Sequence, residues 1–379
     1  MKQLQQQQEA EAEALPLELV EKILLFLPVK SLIRFRCVSK QWLSLISDSR
    51  FAKLHSDYAD AARTNKNTRV LYLSSKVSEA RCVDVEASII CDYALQLPLS
   101  CRDRRLDILG SSRGLMLLGI HGNTNGTKLL LWNPVTGSHK AVPHPPEDPN
   151  VPWMGFHDAQ HIWGGFGYDE STHDYFVVAG WVGGTHCTLR WVYFSVRTNS
   201  WKTIECDRHP KSVISDDDRS LFYKGAIHWL AVKIADYKHV IVAFDLAGEN
   251  LSMISLPADI QVFSGERKLV VLGGCLGISY LNRAGKTEIF IMKEYKVESS
   301  WAKLDIVLPP GYYDINPVCF TNGGELVGTK NNKLVKVSDD GASAESQTIN
   351  WNYGNMVVFT ESLLSFSEDI GGTGEDERK

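Results

Sequence analysis

Residues 164–204, GGFGYDESTHDYFVVAGWVGGTHCTLRWVYFSVRTNSWKTI, contain four short apolar runs separated by turns rich in Gly, Asp, Ser, Thr and Asn. The runs are 164–168, 175–180, 189–196 and 201–204, and the polar turns DESTH and RTNS follow the first and the third. Apolar runs that alternate with such turns predict antiparallel strands. Four strands within 41 residues have the size and order of one β-propeller blade.

The same pattern recurs through the rest of the chain. Segments that begin with Gly and continue with apolar residues start at Gly114, Gly225, Gly274 and Gly324. The intervals are 111, 49 and 50 residues, and the first is about twice the others, which indicates that one copy is degenerate there. With a period near 50, residues 68–366 are predicted to form an all-β propeller of about six to seven four-stranded blades.

A ring of blades must also close on itself. Residues 357–366, VVFTESLLSF, supply a late strand, and residues 69–73 supply an early one. We expect these two strands to complete one blade together.

A different pattern occupies residues 15–55, LPLELVEKILLFLPVKSLIRFRCVSKQWLSLISDSRFAKLH. Its apolar residues recur at helical spacing, and Pro28 is expected to end the first helix. Ser31, Ser39 and Asp48 are predicted to cap three further short helices. The first helix is apolar on nearly all sides and the unit is small, so a partner is expected to cover part of its apolar surface.

Charge is distributed unevenly along the chain. The net charge of −5 excludes a chain-wide nucleic-acid-binding surface. Residues 15–55 hold seven basic and three acidic residues, a net +4, which favours an acidic partner for this module. Hydrophobic residues make up 44% of the chain and charged residues 22%, as in folded globular proteins. Residues 1–14, which are polar, and residues 371–379, which are acidic, are predicted to be disordered.

The motifs of common catalytic and metal sites are missing. The eight cysteines form no Cys-x-x-Cys pair, so we expect reduced thiols in the cytoplasm and/or nucleus. His157 and His161 have the spacing of a helical metal pair, but no Glu follows His157. No apolar run is long enough to span a bilayer, and the polar N-terminal residues are not predicted to be a signal peptide. We therefore predict no catalytic residue, metal or cofactor, and neither a nucleic acid nor a membrane as partner.

Residues 15–55 closely resemble the F-box. The resemblance lies in Leu15-Pro16, Ile23-Leu24, Leu27-Pro28, KSL at 30–32, RCVSK at 36–40 and Trp42. It implies a small all-α F-box domain over residues 15–60, of three to four short helices, that binds a Skp1-like adaptor and, through it, cullin and RING subunits. By position, the resemblance assigns to the adaptor face and its support Leu15, Pro16, Leu19, Ile23, Leu24, Leu27, Pro28, Leu32, Val38 and Trp42. Spacing alone does not separate adaptor contacts from core residues.

The rest of the chain resembles the F-box-associated domain of plant F-box proteins, an architecture related to kelch propellers. SSRGLMLL (111–118), LLLWNPVTGSHK (129–140), GFGYDESTHDYFVV (165–178), YFSVRTNSWKTI (193–204), LFYKGAIHWLA (221–231) and ESLLSF (361–366) follow the order of motifs in that family. The resemblance implies a propeller domain over residues 68–366.

Residues 143–165 form an unusually long connection that is rich in aromatic and His residues, and a second Trp-bearing turn occupies 181–186. Long connections in repeat proteins are often functional, and these residue types are enriched in binding sites. The candidates for binding a target are Trp153, Phe156, His157, His161, Trp163 and Trp181. The alternative is that these aromatic side chains pack their loops against the propeller.

Two classes of function follow from this organisation. The first is a substrate receptor of a Skp1–cullin–F-box ubiquitin ligase, which captures a protein target and leaves the transfer of ubiquitin to other subunits. The second is a propeller enzyme or small-molecule sensor whose helical segment is an incidental cap. An exposed apolar face on the helices favours the first class, and a cluster of polar residues in the central channel favours the second.

Overall fold

The computed structural model describes residues 15–61, 68–74, 79–87, 92–101, 104–121, 127–145, 163–183, 188–204, 212–214, 219–233, 236–261, 267–349 and 351–366. The first of these ranges is the helical domain, with helices α1 (Leu17–Leu25), α2 (Val29–Phe35), α3 (Lys40–Ser47) and α4 (Ser49–Ala61). The remaining ranges belong to the propeller, which also contains the short helix α5 (Ala258–Gln261) and 3-10 turns at Leu99–Cys101 and Glu298–Ser300.

The local sequence explains where the helices begin. The Ser39 hydroxyl accepts a hydrogen bond of 3.1 Å from the Trp42 amide, and Asp48 accepts bonds from the amides of Arg50 and Phe51, so both predicted caps are confirmed. The prediction for Ser31 is wrong, because α2 begins at Val29 directly after Pro28. The fixed φ of proline suits the start of a helix, so this residue opens the second helix as well as limiting the first.

The strands that the structure describes form six sheets arranged as blades. Blade 1 contains β1 (Thr68–Ser74), β2 (Ala80–Asp84), β3 (Asp92–Leu95) and β25 (Trp351–Thr360), and blade 2 contains β4 (Arg105–Ser112), β5 (Leu115–His121), β6 (Thr127–Trp132) and β7 (His139–Val142). Blade 3 contains β8 (Trp163–Asp169), β9 (Asp174–Gly183), β10 (Thr188–Ser195) and β11 (Ser200–Thr203).

The other three blades follow in chain order. Blade 4 contains β12 (Ser212–Ile214), β13 (Leu221–Tyr223), β14 (Ala226–Lys233), β15 (His239–Asp245) and β16 (Asn250–Ser255). Blade 5 contains β17 (Arg267–Leu272), β18 (Cys275–Leu281), β19 (Thr287–Met292) and β20 (Trp301–Leu304), and blade 6 contains β21 (Asn316–Phe320), β22 (Leu326–Lys330), β23 (Lys333–Val337) and β24 (Ala344–Thr348). In blade 4 the innermost strand is split, because β12 and β13 both pair with β14.

The ring closes where the sequence predicts. Strand β25 pairs with β1 in antiparallel register, with Arg69 opposite Phe359 and Val70 opposite Val358. The last strand that the structure describes is therefore the innermost strand of the first blade. The strand itself ends at Thr360, and residues 361–366 continue as an extended segment, which we call the strap.

The glycine repeat marks the turn between the innermost strand and the next in four of the six blades. Gly114, Gly225, Gly274 and Gly324 all lie there with positive φ, between +73° and +86°. In blade 3 the turn instead uses His173, with φ of +53°. The doubled interval in the sequence thus spans a complete blade whose turn lacks the glycine, and the ring has six blades.

Blade 3 is also unusual in its innermost strand, β8, which reads WGGFGYD. A Cβ atom on Gly165 would lie 2.5 Å from Ile227 of the next blade, so only glycine permits this close approach. The Ser220 hydroxyl of blade 4 donates a 2.7 Å hydrogen bond to the Leu109 carbonyl of blade 2. Blades 2 and 4 therefore meet over β8, and the central channel is displaced toward the other blades.

Candidate binding surfaces

The helical domain exposes a set of large apolar side chains. Leu15 and Val38 are each 61% exposed, and Ile23 is 51% exposed. Leu17 and Leu19 are each 46% exposed. Soluble domains rarely leave so many apolar groups uncovered in so few residues, and such patches mark binding surfaces.

Burial divides the ten residues assigned by resemblance into groups that spacing did not separate. Leu24 and Leu32 are fully buried in the core of the helical domain, so they support the surface rather than form it. Leu27 and Trp42 are partly buried, and Trp42 packs edge-on against Phe35 with ring centroids 5.4 Å apart. The exposed members are Leu15, Pro16, Leu19, Ile23, Pro28 and Val38.

The structure adds exposed apolar residues that the sequence did not single out: Leu17, Phe26, Leu43, Leu54 and Tyr58. Phe26 and Tyr58 join α1 to α4 through an edge-to-face contact of 4.8 Å between ring centroids. Helix α1 is apolar on nearly every side, so its sequence contains no signal that distinguishes the exposed side from the buried one.

The helical domain is seated on the propeller through the strap. Leu363 of the strap is 2% exposed and belongs to the same apolar core as Leu24 and Leu32. Asn133, in the turn between β6 and β7, is fully buried, and its Nδ2 donates to the carbonyls of Ser362 (3.1 Å) and Leu364 (2.6 Å). Strap residues therefore complete the core of one domain while hydrogen-bonding to the other.

Charged groups reinforce the same junction. Glu361 at the start of the strap is 3% exposed and contacts Arg69 (3.5 Å), Lys30 (3.9 Å) and the Tyr93 hydroxyl (3.2 Å). The Lys30 ammonium also lies 4.0 Å from the centre of the Tyr93 ring. A buried carboxylate is tolerated because it has paired cations and a hydrogen-bond donor. The orientation of the helical domain is thereby fixed by contacts from two blades and the strap.

Four of the six proposed target-binding residues lie outside the described residues: Trp153, Phe156, His157 and His161. Trp163 begins β8, opposite Gly180 of β9, and Trp181 follows Gly180 directly in β9. The structure thus brings the backbones of these two tryptophans to the same end of blade 3.

That end lies on the face of the ring opposite the helical domain. The β4–β5 turn of blade 2 faces the helical domain, since Arg113 in this turn forms an ion pair with Asp57 of α4. The Arg113 guanidinium also lies 4.4 Å from the ring centre of Tyr168, near the other end of β8 from Trp163. The beginning of β8 therefore points away from the helical domain, as does the end of β9.

Ionisable groups in the interior have structural partners. His228 is fully buried, with its ring nitrogens 3.1 Å from the Leu221 carbonyl and 2.8 Å from the Tyr295 hydroxyl, and burial lowers its pKa to about 4. Burial raises the pKa of the Cys82 thiol to about 12, which favours the protonated thiol at neutral pH. Within the described ranges, no group of three His, Cys, Asp or Glu side chains has the geometry to hold a metal ion.

None of the helices that the structure describes has the length and apolar character needed to cross a membrane. The protein thus combines two domains. One is a helical domain with exposed apolar side chains, and the other is a six-bladed propeller to which it is joined.

Comparisons with known proteins place this architecture in a family. The F-box associated beta propeller domain matches residues 62–337, and the F-box domain matches residues 13–54. An F-box/kelch-repeat protein of Arabidopsis thaliana is 27% identical over 82% of this chain and 83% of its own length, and the F-box protein CPR1 of the same plant is 26% identical over 85% and 81%. The chain belongs to the F-box proteins with an F-box-associated β-propeller, and these relatives are plant proteins.

Among solved structures, TolB from Acinetobacter baumannii aligns with 82% of this chain and 71% of its own, with a TM-score of 0.43 and 11% identity. This distant likeness carries no functional argument.

Proposed function

We propose that this protein is the substrate receptor of a Skp1–cullin–F-box ubiquitin ligase. In this role the helical domain docks a Skp1-like adaptor and the propeller captures a protein target. The cullin and RING subunits, bound through the adaptor, supply the chemistry of ubiquitin transfer. This chain holds the target close to those subunits and supplies no catalytic residue. Such a complex would operate in the cytoplasm and/or nucleus, which agrees with the free thiols of the five described cysteines.

The observation that carries the proposal is the exposed apolar face of the helical domain. Leu17, Leu19 and Ile23 of α1 are exposed, while Leu24 of the same helix and Leu32 of α2 fill the core. Since these side chains are about half exposed, burying the exposed part of each at an interface contributes about 1 kcal/mol.

The position of the candidate target-binding residues supports separate binding surfaces for the adaptor and the target. The ends of β8 and β9 that carry Trp163 and Trp181 lie on the face opposite the helical domain, so adaptor and target would not compete for space. The alternative is a propeller enzyme or small-molecule sensor with an incidental cap, and a cluster of polar residues in the central channel would favour it. Burial explains the shifted pKa values of Cys82 and His228, and the ring of His228 is held by the Leu221 carbonyl and the Tyr295 hydroxyl.

The test is co-purification of the adaptor with matched variants. Ile23→Glu places a charge on the exposed face and is expected to weaken adaptor binding by at least about 100-fold, the effect of roughly 3 kcal/mol. Leu99→Glu is the control, because Leu99 is an even more exposed apolar residue, 71%, on the propeller. Thermal melting of both variants checks that they fold. Equal adaptor binding by the two variants would contradict the proposal.

A further inference from the structure

The face of the propeller opposite the helical domain carries a basic patch where blades 5 and 6 meet, which we define as Lys286, Tyr313, Lys330 and Lys333. Lys286 lies in the turn between β18 and β19, and Lys330 and Lys333 flank the turn between β22 and β23. These turns join the second and third strands of their blades, whereas the glycine turns on the side of the helical domain join the first and second. The basic patch therefore lies on the same face as the ends of β8 and β9 that carry the two described tryptophans of the candidate target-binding set.

Direct contacts hold Tyr313 beside Lys286. The Thr287 amide donates a 2.7 Å hydrogen bond to the Tyr313 carbonyl, and the Thr287 hydroxyl donates a 2.6 Å bond to the Ile315 carbonyl. The Lys286 ammonium lies 4.9 Å from the centre of the Tyr313 ring, and Tyr313 is 42% exposed. Tyrosine is enriched among the residues that contribute most to protein interfaces, and a neighbouring cation selects a partner of opposite charge.

The basic patch holds positive charge that its own fold does not neutralise. Lys330 and Lys333 lie directly opposite each other, joined by the two-residue turn 331–332. Their Cβ atoms are then about 5 Å apart, and like charges in this arrangement destabilise a sheet. Asp314 forms an ion pair with Lys330, whereas Lys286 and Lys333 have no ion-pair partner among the residues that the structure describes. A bound anion would reduce this repulsion.

The opposite face of the same part of the ring is acidic. The turns between the third and fourth strands of blades 4 and 6 lie beside the glycine turns, as shown by the 3.0 Å hydrogen bond from the Leu246 amide to the Gly225 carbonyl. These two turns contain four acidic residues and no basic one: Asp245, Glu249, Asp339 and Asp340. An acidic partner is therefore repelled from the side of the helical domain and attracted to the basic patch.

We infer that the basic patch binds an acidic segment of the target protein. Carboxylate or phosphate groups of that segment pair with Lys286 and Lys333, and a neighbouring apolar side chain packs on Tyr313. A nucleic acid fits less well, because the patch has three lysines and the chain a net charge of −5. The inference rests on the proposed function, since it names the kind of target that the propeller would capture.

The experiment measures the fluorescence anisotropy of labelled peptides mixed with the purified full-length chain. One peptide consists of glutamates around a single phenylalanine, and a second has phosphoserines in place of the glutamates. Lys286→Glu combined with Lys333→Glu should weaken binding of both peptides by at least about tenfold, because two attractive charges become repulsive. The matched control combines Lys224→Glu with Lys293→Glu, which gives the same net charge but alters exposed lysines on the side of the helical domain.

Two further variants separate the charge from the apolar contact. Lys286→Gln combined with Lys333→Gln removes the charges without reversing them and should weaken both peptides by a smaller factor. Tyr313→Ala should weaken the glutamate peptide with phenylalanine by about fivefold, and it should leave a version with serine in place of phenylalanine nearly unchanged. Thermal melting of every variant checks that it folds.

No saturable binding of either peptide, or equal affinities for the two Lys→Glu double variants, would overturn the inference. Tighter binding of a labelled oligothymidine than of both peptides would assign the patch to a nucleic acid and would overturn it as well. Tighter binding of one peptide than the other supports the inference and identifies phosphate or carboxylate as the preferred group. Adaptor co-purification tests the proposed function separately, because Ile23→Glu alters the helical domain and should leave peptide binding unchanged.

Discussion

Replacing Asn133 by Ala is expected to loosen the joint between the two domains. The buried side chain donates to the carbonyls of Ser362 and Leu364 and accepts from the amides of Val135 and Thr136. At about 1 kcal/mol for each lost bond, with buried groups left without partners, the variant should lose about 4 kcal/mol of folding free energy. Because the entropy of unfolding is about 2.1 cal/mol/K per residue, the melting temperature of this 379-residue chain should fall by about 5 °C.

The informative readout is hydrogen exchange followed by mass spectrometry. In the Asn133→Ala variant, the amides of the strap should exchange faster, and so should those of α1 and α2, because Leu363 belongs to the core of the helical domain. Asn282→Ala is the control, because Asn282 also accepts from two turn amides and donates to Glu288, but it lies in blade 5. Unchanged exchange in the strap and helices of Asn133→Ala, or equal acceleration in the control, would refute the reasoning.

Two further predictions concern the propeller. Gly114→Ala should destabilise the protein more than Gly225→Ala. Both turns have positive φ, but only at Gly114 would the added Cβ overlap another side chain, that of Ser362. Equal midpoints of urea unfolding for the two variants would show that this overlap is relieved. His228 is expected to make stability pH-dependent. Since its folded pKa of about 4 lies below the ordinary 6.5, the unfolded chain binds the extra proton, and stability should fall by about 3 kcal/mol as pH drops through that window. His228→Gln should flatten this dependence in urea titrations at several pH values, and an unchanged slope would contradict the assignment.

The repeat could be predicted from the sequence because turn chemistry is local. Positive φ favours glycine, so four of the turns are visible as a period near 50 residues. Two physical features keep the repeat from revealing the exact number of blades. His173 adopts the same turn without glycine, and blade 1 is assembled from the two ends of the chain, so neither blade carries the repeat signal.

The exposed apolar surface of the helical domain could not be predicted from the ten residues that the resemblance assigns to adaptor binding, which stays a prediction. Leu24 and Ile23 are neighbours of the same chemical type, and only the packing of α2 and the strap decides that the first is buried and the second exposed. The motif ESLLSF was recognised in the sequence, yet nothing in its pattern indicates that Leu363 completes a core formed by residues more than 300 positions earlier.

The strap also links translation to adaptor access. The helical domain is synthesised first, but its core includes Leu363, and β1 has no partner on its inner side until β25 is made. A nascent chain, or one truncated before the strap, therefore lacks both the closure of the ring and the seat of the helical domain. We expect the exposed apolar surface of the helical domain to be held in its orientation only once residues 361–366 have been translated.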